Sequence, residues 1–263
     1  MNIVVLIKQV PNTTEATLDP KTGSLIREGI EGIINPDDRH AIEAAARLKE
    51  TYGGKMTVIS MGPPQAIDAI SEALGMGADE GILLTDKAFA GADTWATSFT
   101  LGKAVEKIGR YDLILCGQQA IDGDTAQIGP QVADHLQIPQ VTYVFEIQEV
   151  KKKVLIVKRR LEDGFERVQC RLPALLTVIG ELNKPRQPHV GRLIEACGEK
   201  APVKVWNAAD IGVQTSEVGL EGSLTHVIRT FAPKGKREGQ ILEGDTKEAV
   251  TKLVGKLREN RLI

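Results

Sequence analysis

"YDLILCGQQAIDGDTAQIGPQVADHL", Tyr111–Leu136, holds a strand, a long loop and a helix in one stretch. Leu113–Cys116 is apolar without alternation, the pattern of a strand buried on both faces. Ile128, Val132 and Leu136 recur at helical spacing, on one face. Between them lie Gly117–Gln127, eleven residues that are all small, amide or acidic except Ile121, where two or three would join a strand to a helix.

The segments before it repeat the scheme. Ile3–Ile7, Met56–Ser60 and Gly81–Leu84 are further apolar runs of strand length. "NPDDRHAIEAAARLKETYGG" reads as a helix, with Asn35 as N-cap, Pro36 in the first position, acids in the first turn, and Gly53 and Gly54 as the stop. "PPQAIDAISEALGMG" and "DTWATSFTLGKAVEKIG" follow, with Gly75 and Gly109 as expected stops. Continuous apolar strands alternating with amphipathic helices predict an α/β, doubly wound parallel sheet. Beyond Pro139 the pattern changes. "VTYVFEIQEV", "VLIVKRR" and "FERVQCRLPALLTVI" read as an antiparallel extension with Lys151–Lys153 at a solvated hairpin tip. Residues 183–202 read as a Pro-, Gly- and charge-rich loop. A polar extended segment then leads to a terminal helix capped by Asp245 or Thr246.

The 263 residues carry 33 Lys and Arg against 35 Asp and Glu, with 4% aromatics, so neither charge nor stacking surface favours a nucleic-acid partner. Cys116, Cys170 and Cys197 are dispersed without a Cys-x-x-Cys, which argues against zinc ribbons and self-contained iron–sulfur clusters and fits a reducing compartment. The run "MNIVVLIKQV" is too short to span a bilayer and lacks a signal-peptide start; it is expected to be the first strand of a cytoplasmic protein. "GADTWATSFTLGKA" fails as a P-loop, because Thr97 stands where the first glycine belongs and Ala104 where a hydroxyl should bind magnesium. "GMGADEG" precedes a strand instead of following one. His40, His135, His189 and His226 are scattered away from any plausible nucleophile, so hydrolytic chemistry is poorly supported.

In a parallel sheet, ligands bind beyond the carboxyl ends of the strands. Four such exits carry unusual residues: "KQVPN", "SMGPP", "TDKAFAGADTWATS" and the loop after Cys116. Gly117 and Gly123 permit close backbone approach. Asp124 and Thr125 are expected N-caps, leaving the amides of Thr125, Ala126 and Gln127 free for a phosphate or pyrophosphate, with Thr94 and Thr97 offering the same from the preceding helix. Asp122 and Asp124 would repel phosphate directly and suit amide capping or ribose and adenine donors. The alternative reading of the loop is a glycine-softened turn before an ordinary capped helix.

End to end, the chain resembles the beta subunits of electron-transfer flavoproteins. The resemblance rests on "KQVP", "NPDD" with "AIEAAARLKE", "GPPQAIDAISEALGMGAD" and "GQQAIDGDTAQIGP". It rests most on "VKRRLEDGFERVQCRLPALLTV", Val157–Val178, with its Glu162–Gly164 cluster, Glu166 and Pro173. It implies an adenine-nucleotide hydrolase-like fold and an obligate alpha-subunit partner carrying FAD. At Asn35–Arg39 and Asp122–Gly129 the chain departs from ordinary members, which hold a structural AMP. Together with "FAGADTWATS" it is similar there to the electron-bifurcating branch, in which a second FAD takes that place.

The resemblance implies adenine and ribose near Leu6, Asn35, Asp38, Met61 and Gly117. It puts the pyrophosphate by Gly123, Asp124, Thr125, Ala126, Gln127 and Ile128, with Thr94 and Thr97 assisting and Gln118 and Asp122 in the same lining. It further implies NADH as donor, and ferredoxin or flavodoxin and an acyl-CoA-type, flavin-dependent dehydrogenase as downstream partners. Residues 182–197, with Leu182, Val190, Leu193 and Ile194, correspond to a loop that recognises the dehydrogenase; Val190 stands where ordinary members have leucine. The expected organisation is a nucleotide-binding domain over 1–235 and a C-terminal arm over 236–263 packing on the alpha subunit.

Overall fold

In a computed structural model, residues 1–12, 17–18, 25–26, 32–228, 239 and 241–263 are described. The apolar run opens as β1 (Asn2–Ile7), followed by β2 (Gln9–Pro11), β3 (Thr17–Leu18), β4 (Leu25–Ile26) and β5 (Gly32–Ile34). β2 pairs with β5 and β3 with β4, both antiparallel. Then come α1 (Pro36–Tyr52), β6 (Lys55–Met61), α2 (Ile67–Met76), β7 (Glu80–Leu84), α3 (Thr94–Ile108), β8 (Leu113–Gly117) and α4 (Ile128–His135). The remainder is β9 (Gln140–Lys151), β10 (Val154–Leu161), β11 (Gly164–Arg171), β12 (Ala174–Val178), α5 (Val190–Ala196), β13 (Val203–Trp206) and α6 (Thr246–Glu259).

Nine strands form one sheet in the order β11-β10-β9-β12-β8-β1-β6-β7-β13. From β9 to β13 all neighbours run parallel, and β10 and β11 extend the β9 edge antiparallel. β1 shows why both faces must be covered. Ile3, Val5 and Ile7 pack with Ala41, Ile42, Ile70 and Leu74 of α1 and α2, while Val4 and Leu6 pack with Leu101, Val105, Val132 and Ala133 of α3 and α4. Each such side chain taken from water contributes about 1.5–3 kcal/mol, so a run without alternation is stable only between two helical layers.

Three expectations are corrected. β12 was expected antiparallel, yet it lies between β8 and β9, parallel to both. All five of its residues are buried, a pattern that a one-face-wet hairpin strand cannot carry. The second helix does not stop at Gly75. It runs to Met76, and Gly77 ends it with φ 130°, its amide donating to Ala73 O and Leu74 O. Gly75 is instead a contact point, because a Cβ there would lie 2.9 Å from Pro188 Cβ. The third correction concerns 183–202, where the expected loop contains α5. Just past it comes β13, which adds a parallel edge strand beside β7.

Two units divide the chain, Met1–Ile228 and Arg229–Ile263. In the second, α6 starts at Asp245, whose carboxylate accepts from the Glu248 amide at 2.9 Å. The domain division expected at 235/236 falls outside the described residues.

The chain leaves β1 through α1 to β6 on one side, and later reaches β8 on the other side of β1 through α3. The strand order therefore reverses at β1 and β8, and a crevice opens over their carboxyl ends. Gly129 sets how closely α4 approaches this part of the sheet: a Cβ there would lie 2.5 Å from Thr177 Cγ2 and 2.9 Å from Cys116 Sγ. Gly129→Ala gains at most about 1 kcal/mol of helix propensity against about 1–3 kcal/mol of overpacking on a stiff β-branched neighbour. The expected result is net destabilisation, seen as a lower midpoint in thermal unfolding.

Candidate functional site

Two buried polar side chains on the first turn of α1 assemble the crevice. Asn35 is 1% exposed and occupies the N-cap position, but its side chain makes no cap bond. Its Nδ2 donates to Gln119 O at 2.9 Å and its Oδ1 accepts from the Ile121 amide at 3.1 Å. Its own amide donates to Lys8 O at 2.9 Å. Asp38, 6% exposed, accepts from the Lys8 amide on Oδ2 at 2.8 Å and from the Gly117 amide on Oδ1 at 2.9 Å. The exits of β1 and β8 are thereby clipped to one helix start. Gly117 must lack a side chain for this, since a Cβ would lie 2.5 Å from Asp38 Oδ1 and 2.6 Å from Asp37 Cβ.

Burial pushes the Asp38 carboxyl up to about 7, against the pull of the Lys8 and Gly117 amides. Burial likewise pushes up the Cys116 thiol, and the Asp38 charge adds to the effect. Cys116 is therefore a packed neutral thiol at neutral pH and no nucleophile.

Pinned by Asn35, the loop after β8 bends through tight local bonds. Gln118 donates its amide to Val178 O and Asp124 to Ala120 O, both at 2.8 Å. Lys8 Nζ grips both Asp122 oxygens, at 2.7 and 2.8 Å, and Gln119 Nε2 holds the Asp124 carboxylate. The expected N-caps are corrected here. α4 begins at Ile128, its N-cap position is Gln127, and no side chain caps it. Asp124 cannot serve, because its carboxylate is engaged by Gln119 and its backbone is left-handed, with φ 52°. Thr125 lies too far before α4. Ala126 is also left-handed, at φ 54°, and Gln127 follows in the right-handed region at φ −100°. Successive residues of opposite hand turn their amides into one concavity, a main-chain anion nest. Among the described residues, the amides of Thr125, Ala126, Gln127 and Ile128 have no acceptor.

α3 begins beside this nest. Asp93 caps it, accepting from the Ala96 amide at 3.0 Å, and Thr94 Oγ1 donates to Gln127 Oε1 at 2.8 Å. Gln131 Nε2 reaches Thr94 Oγ1 at 3.4 Å, while its Oε1 is buried and has no partner. Thr97 lies one turn into α3, half-buried. Leu6 and Met61 line the α3–α4 side of the sheet near the strand exits. Around Gly123 a Cβ would meet nothing within 4 Å, so no contact among the described residues demands a glycine there.

The residues expected at a partner loop divide by exposure. Val190 and Ile194 are about 70% exposed, whereas Leu182 packs on the α1–α2 core and Leu193 approaches Gly75 of α2. Sequence reasoning missed the anchor of this segment. Arg186 donates to the buried Glu43 and to Glu50, tying residues 183–189 to α1. Burial pushes Glu43 up, but Arg186 and Arg47 outweigh it and hold the carboxyl below its usual range. Lys8 lies in the exit "KQVPN" singled out above, but its grip on Asp122 had no signal beyond a basic residue directly after an apolar strand.

Asp38 also sets a pH signature. Its folded carboxyl titrates near 7 against about 3.9 unfolded, so the native state holds a proton that the unfolded chain has already released. This group's contribution to stability is greatest below pH 4 and is lost as pH rises to 7, by up to about 1.4 kcal/mol per unit. Denaturant melts from pH 4 to 7 are expected to show wild-type stability falling relative to Asp38→Asn, which has no such proton. A difference independent of pH would contradict the assignment.

Among the described residues, no cluster of His, Cys, Asp or Glu could hold a metal ion, and no helix is long and apolar enough to cross a membrane. The family model described as the electron transfer flavoprotein domain matches residues 22–211. Over the full length of both chains, the protein is 55% identical to an electron transfer flavoprotein subunit beta of Thermoanaerobacterium thermosaccharolyticum and 51% identical to that of Clostridium acetobutylicum. It is 49% identical, again over both whole chains, to the caffeyl-CoA reductase-Etf complex subunit CarD of Acetobacterium woodii. With its doubly wound sheet and antiparallel extension, the chain belongs to the electron transfer flavoprotein family as a beta subunit.

Proposed function

We propose that this beta subunit binds a second FAD in the crevice over β1 and β8. In this reading it pairs with an FAD-carrying alpha subunit, takes electrons from NADH, and divides them between two routes. One runs through the alpha-subunit FAD to an acyl-CoA-type dehydrogenase, the other to ferredoxin or flavodoxin. The single observation that carries the reading is the concavity of unpartnered amides from Thr125 to Ile128 at the start of α4, beside Gly123. Main-chain donors and a helix N-terminus suit linked phosphates. The unpartnered Gln131 Oε1 and the open space at Gly123 fit a bulky polar occupant. The CarD relative, named for a complex with a CoA reductase, supports the dehydrogenase class.

The flavin, when bound, supplies the chemistry of accepting a hydride and releasing electrons one at a time. The protein's residues bind and orient. Gly123, Asp124, Thr125, Ala126, Gln127 and Ile128 would hold the pyrophosphate, with Thr94 and Thr97 beside them. Leu6, Met61 and Gly117 would border adenine and ribose, with Gln118 nearby. Asn35 and Asp38 act one step back, shaping the wall through the Gln119, Ile121, Lys8 and Gly117 backbone. Asp122 is neutralised by Lys8 and does not oppose an anion as a free carboxylate would. Val190 and Ile194 present the apolar face proposed for the dehydrogenase, and residues 236–263 are the proposed arm on the alpha subunit.

The test is a cofactor count. The purified heterodimer, denatured and chromatographed, is expected to release two FAD per pair; one FAD with one AMP would mark an ordinary, docking-only beta subunit. Gly123→Val is expected to leave the melting temperature within about 1 °C, because nothing in the chain crowds that site and exposed substitutions are usually neutral. It should nevertheless release one FAD fewer and oxidise NADH at least tenfold more slowly.

A further inference from the structure

At the opposite end of the strands, by the amino ends of β1, β6 and β7 and beside β13, lies a cavity of about 300 Å³. Its floor is Val4, Ile82, Ile108 and Trp206, and its rim carries Lys55, Lys107, Arg110 and Lys204 around Glu80. α3 ends at Ile108, so the charged rim at Lys55, Lys107 and Arg110 stays exposed, while Val4, Thr57 and Ile82 behind it are buried.

The charge is lopsided. Four cations meet one carboxylate here, on a chain whose formal net charge is -2. Glu80 is shared by Lys55 and Lys204. Lys107 has no acidic partner; it donates to Asp210 O and lies over the Trp206 ring, 4.9 Å from its centroid. Arg110 is exposed, and among the described residues its guanidinium has no carboxylate within reach. Cations at the carboxyl end of α3 are favoured by its dipole, which accounts for Lys107 and Arg110 but not for Lys55 and Lys204 on neighbouring strands. A low-dielectric concavity rimmed by one sign of charge concentrates ions of the other sign, and the volume is at the lower end of the range for small-ligand sites.

We propose that this cavity is a second, independent ligand site, which takes a multiply charged phosphate-class anion. Lys107 and Arg110 bind it directly, Lys55 and Lys204 complete the rim, and the Trp206 ring forms one wall. It lies at the other end of the strands from the crevice and shares no residue with it.

Trp206 supplies the readout. The chain has two tryptophans, so in a Trp95→Phe background Trp206 is the single indole, and drawing Lys107 off its ring changes its emission. Inorganic pyrophosphate is titrated into the full chain with its crevice loaded with nucleotide, at constant ionic strength. The expected result is a saturable change at one equivalent per chain, weakening as NaCl is raised. Lys107→Gln with Arg110→Gln, both at exposed positions, should weaken it at least tenfold. Glu80→Gln, which removes the competing carboxylate, should tighten it severalfold. Absence of saturation, or equal affinity in the Lys107/Arg110 double variant or in Glu80→Gln, overturns the proposal. Because the crevice is filled throughout, these outcomes do not depend on which nucleotide it holds.

Discussion

The structure hangs on a carboxyl group that is almost wholly out of water and, among the described residues, forms no ion pair. Asp38 receives two backbone amides, one from each strand exit flanking the switch point. A cation would neutralise the charge more cheaply, but only the paired amides fix where β1 and β8 end relative to α1. Hydrogen bonds to a charged group contribute about 1.5–3 kcal/mol each; desolvation opposes them strongly enough to raise the carboxyl to about 7. The clip is therefore bought more for geometry than for stability. Gly117 follows from it, since only a glycine lets the β8 backbone come that close.

Asn35 continues the same logic outward. Its side chain bonds the loop after β8 at two points instead of capping its own helix. Held there, the loop must cross to α4 within a few residues, and it does so with two left-handed non-glycine residues, Asp124 and Ala126. Such conformations cost on the order of 1–3 kcal/mol each and persist where surrounding structure over-determines them. Here the over-determination is visible: Lys8 on Asp122, Gln119 on Asp124 and Asn35 on Ile121. The strain turns successive amides to one side, which an ordinary capped helix start would not do.

The sequence was most informative where local and tertiary demands coincide. β1, β6, β7 and β8 are apolar on both faces and were legible as buried parallel strands, and Gly53, Gly109 and Asp245 marked helix ends correctly. It misled where a long-range contact overrode a local preference. Asn35 has the residue type of an N-cap, but the nearby Gln119 carbonyl and Ile121 amide claim its side chain. Gly75 has the residue type of a stop, but Pro188 needs its missing Cβ. β12 follows three hairpin-like segments, and only its unbroken burial reveals that it is inserted beside β8. In the crevice, Gly117 and the long loop were legible; the roles of Lys8, Gln119 and Gln131 were not, because a single polar residue at a strand exit or on a helix has no local signature.

α1 joins these features to the remainder of the chain. Its start holds the crevice through Asn35 and Asp38, and about two and four turns after Asn35 Glu43 and Glu50 hold the 183–189 segment through Arg186. The bond from partly exposed Arg186 to buried Glu43 resembles the Asp38 clip in purpose: Glu43 is also held by Arg47, and Arg186 adds the tie that anchors the segment leading into α5. One rigid helix of seventeen residues thus fixes both the proposed cofactor wall and the exposed Val190–Ile194 face. On the proposed reading, in which bound flavins supply the chemistry, that coupling is the main contribution the polypeptide makes. In that reading electron transfer needs fixed distances more than a catalytic acid or base, and α1 holds the wall and the 183–189 segment in place through Asn35, Asp38 and Glu43.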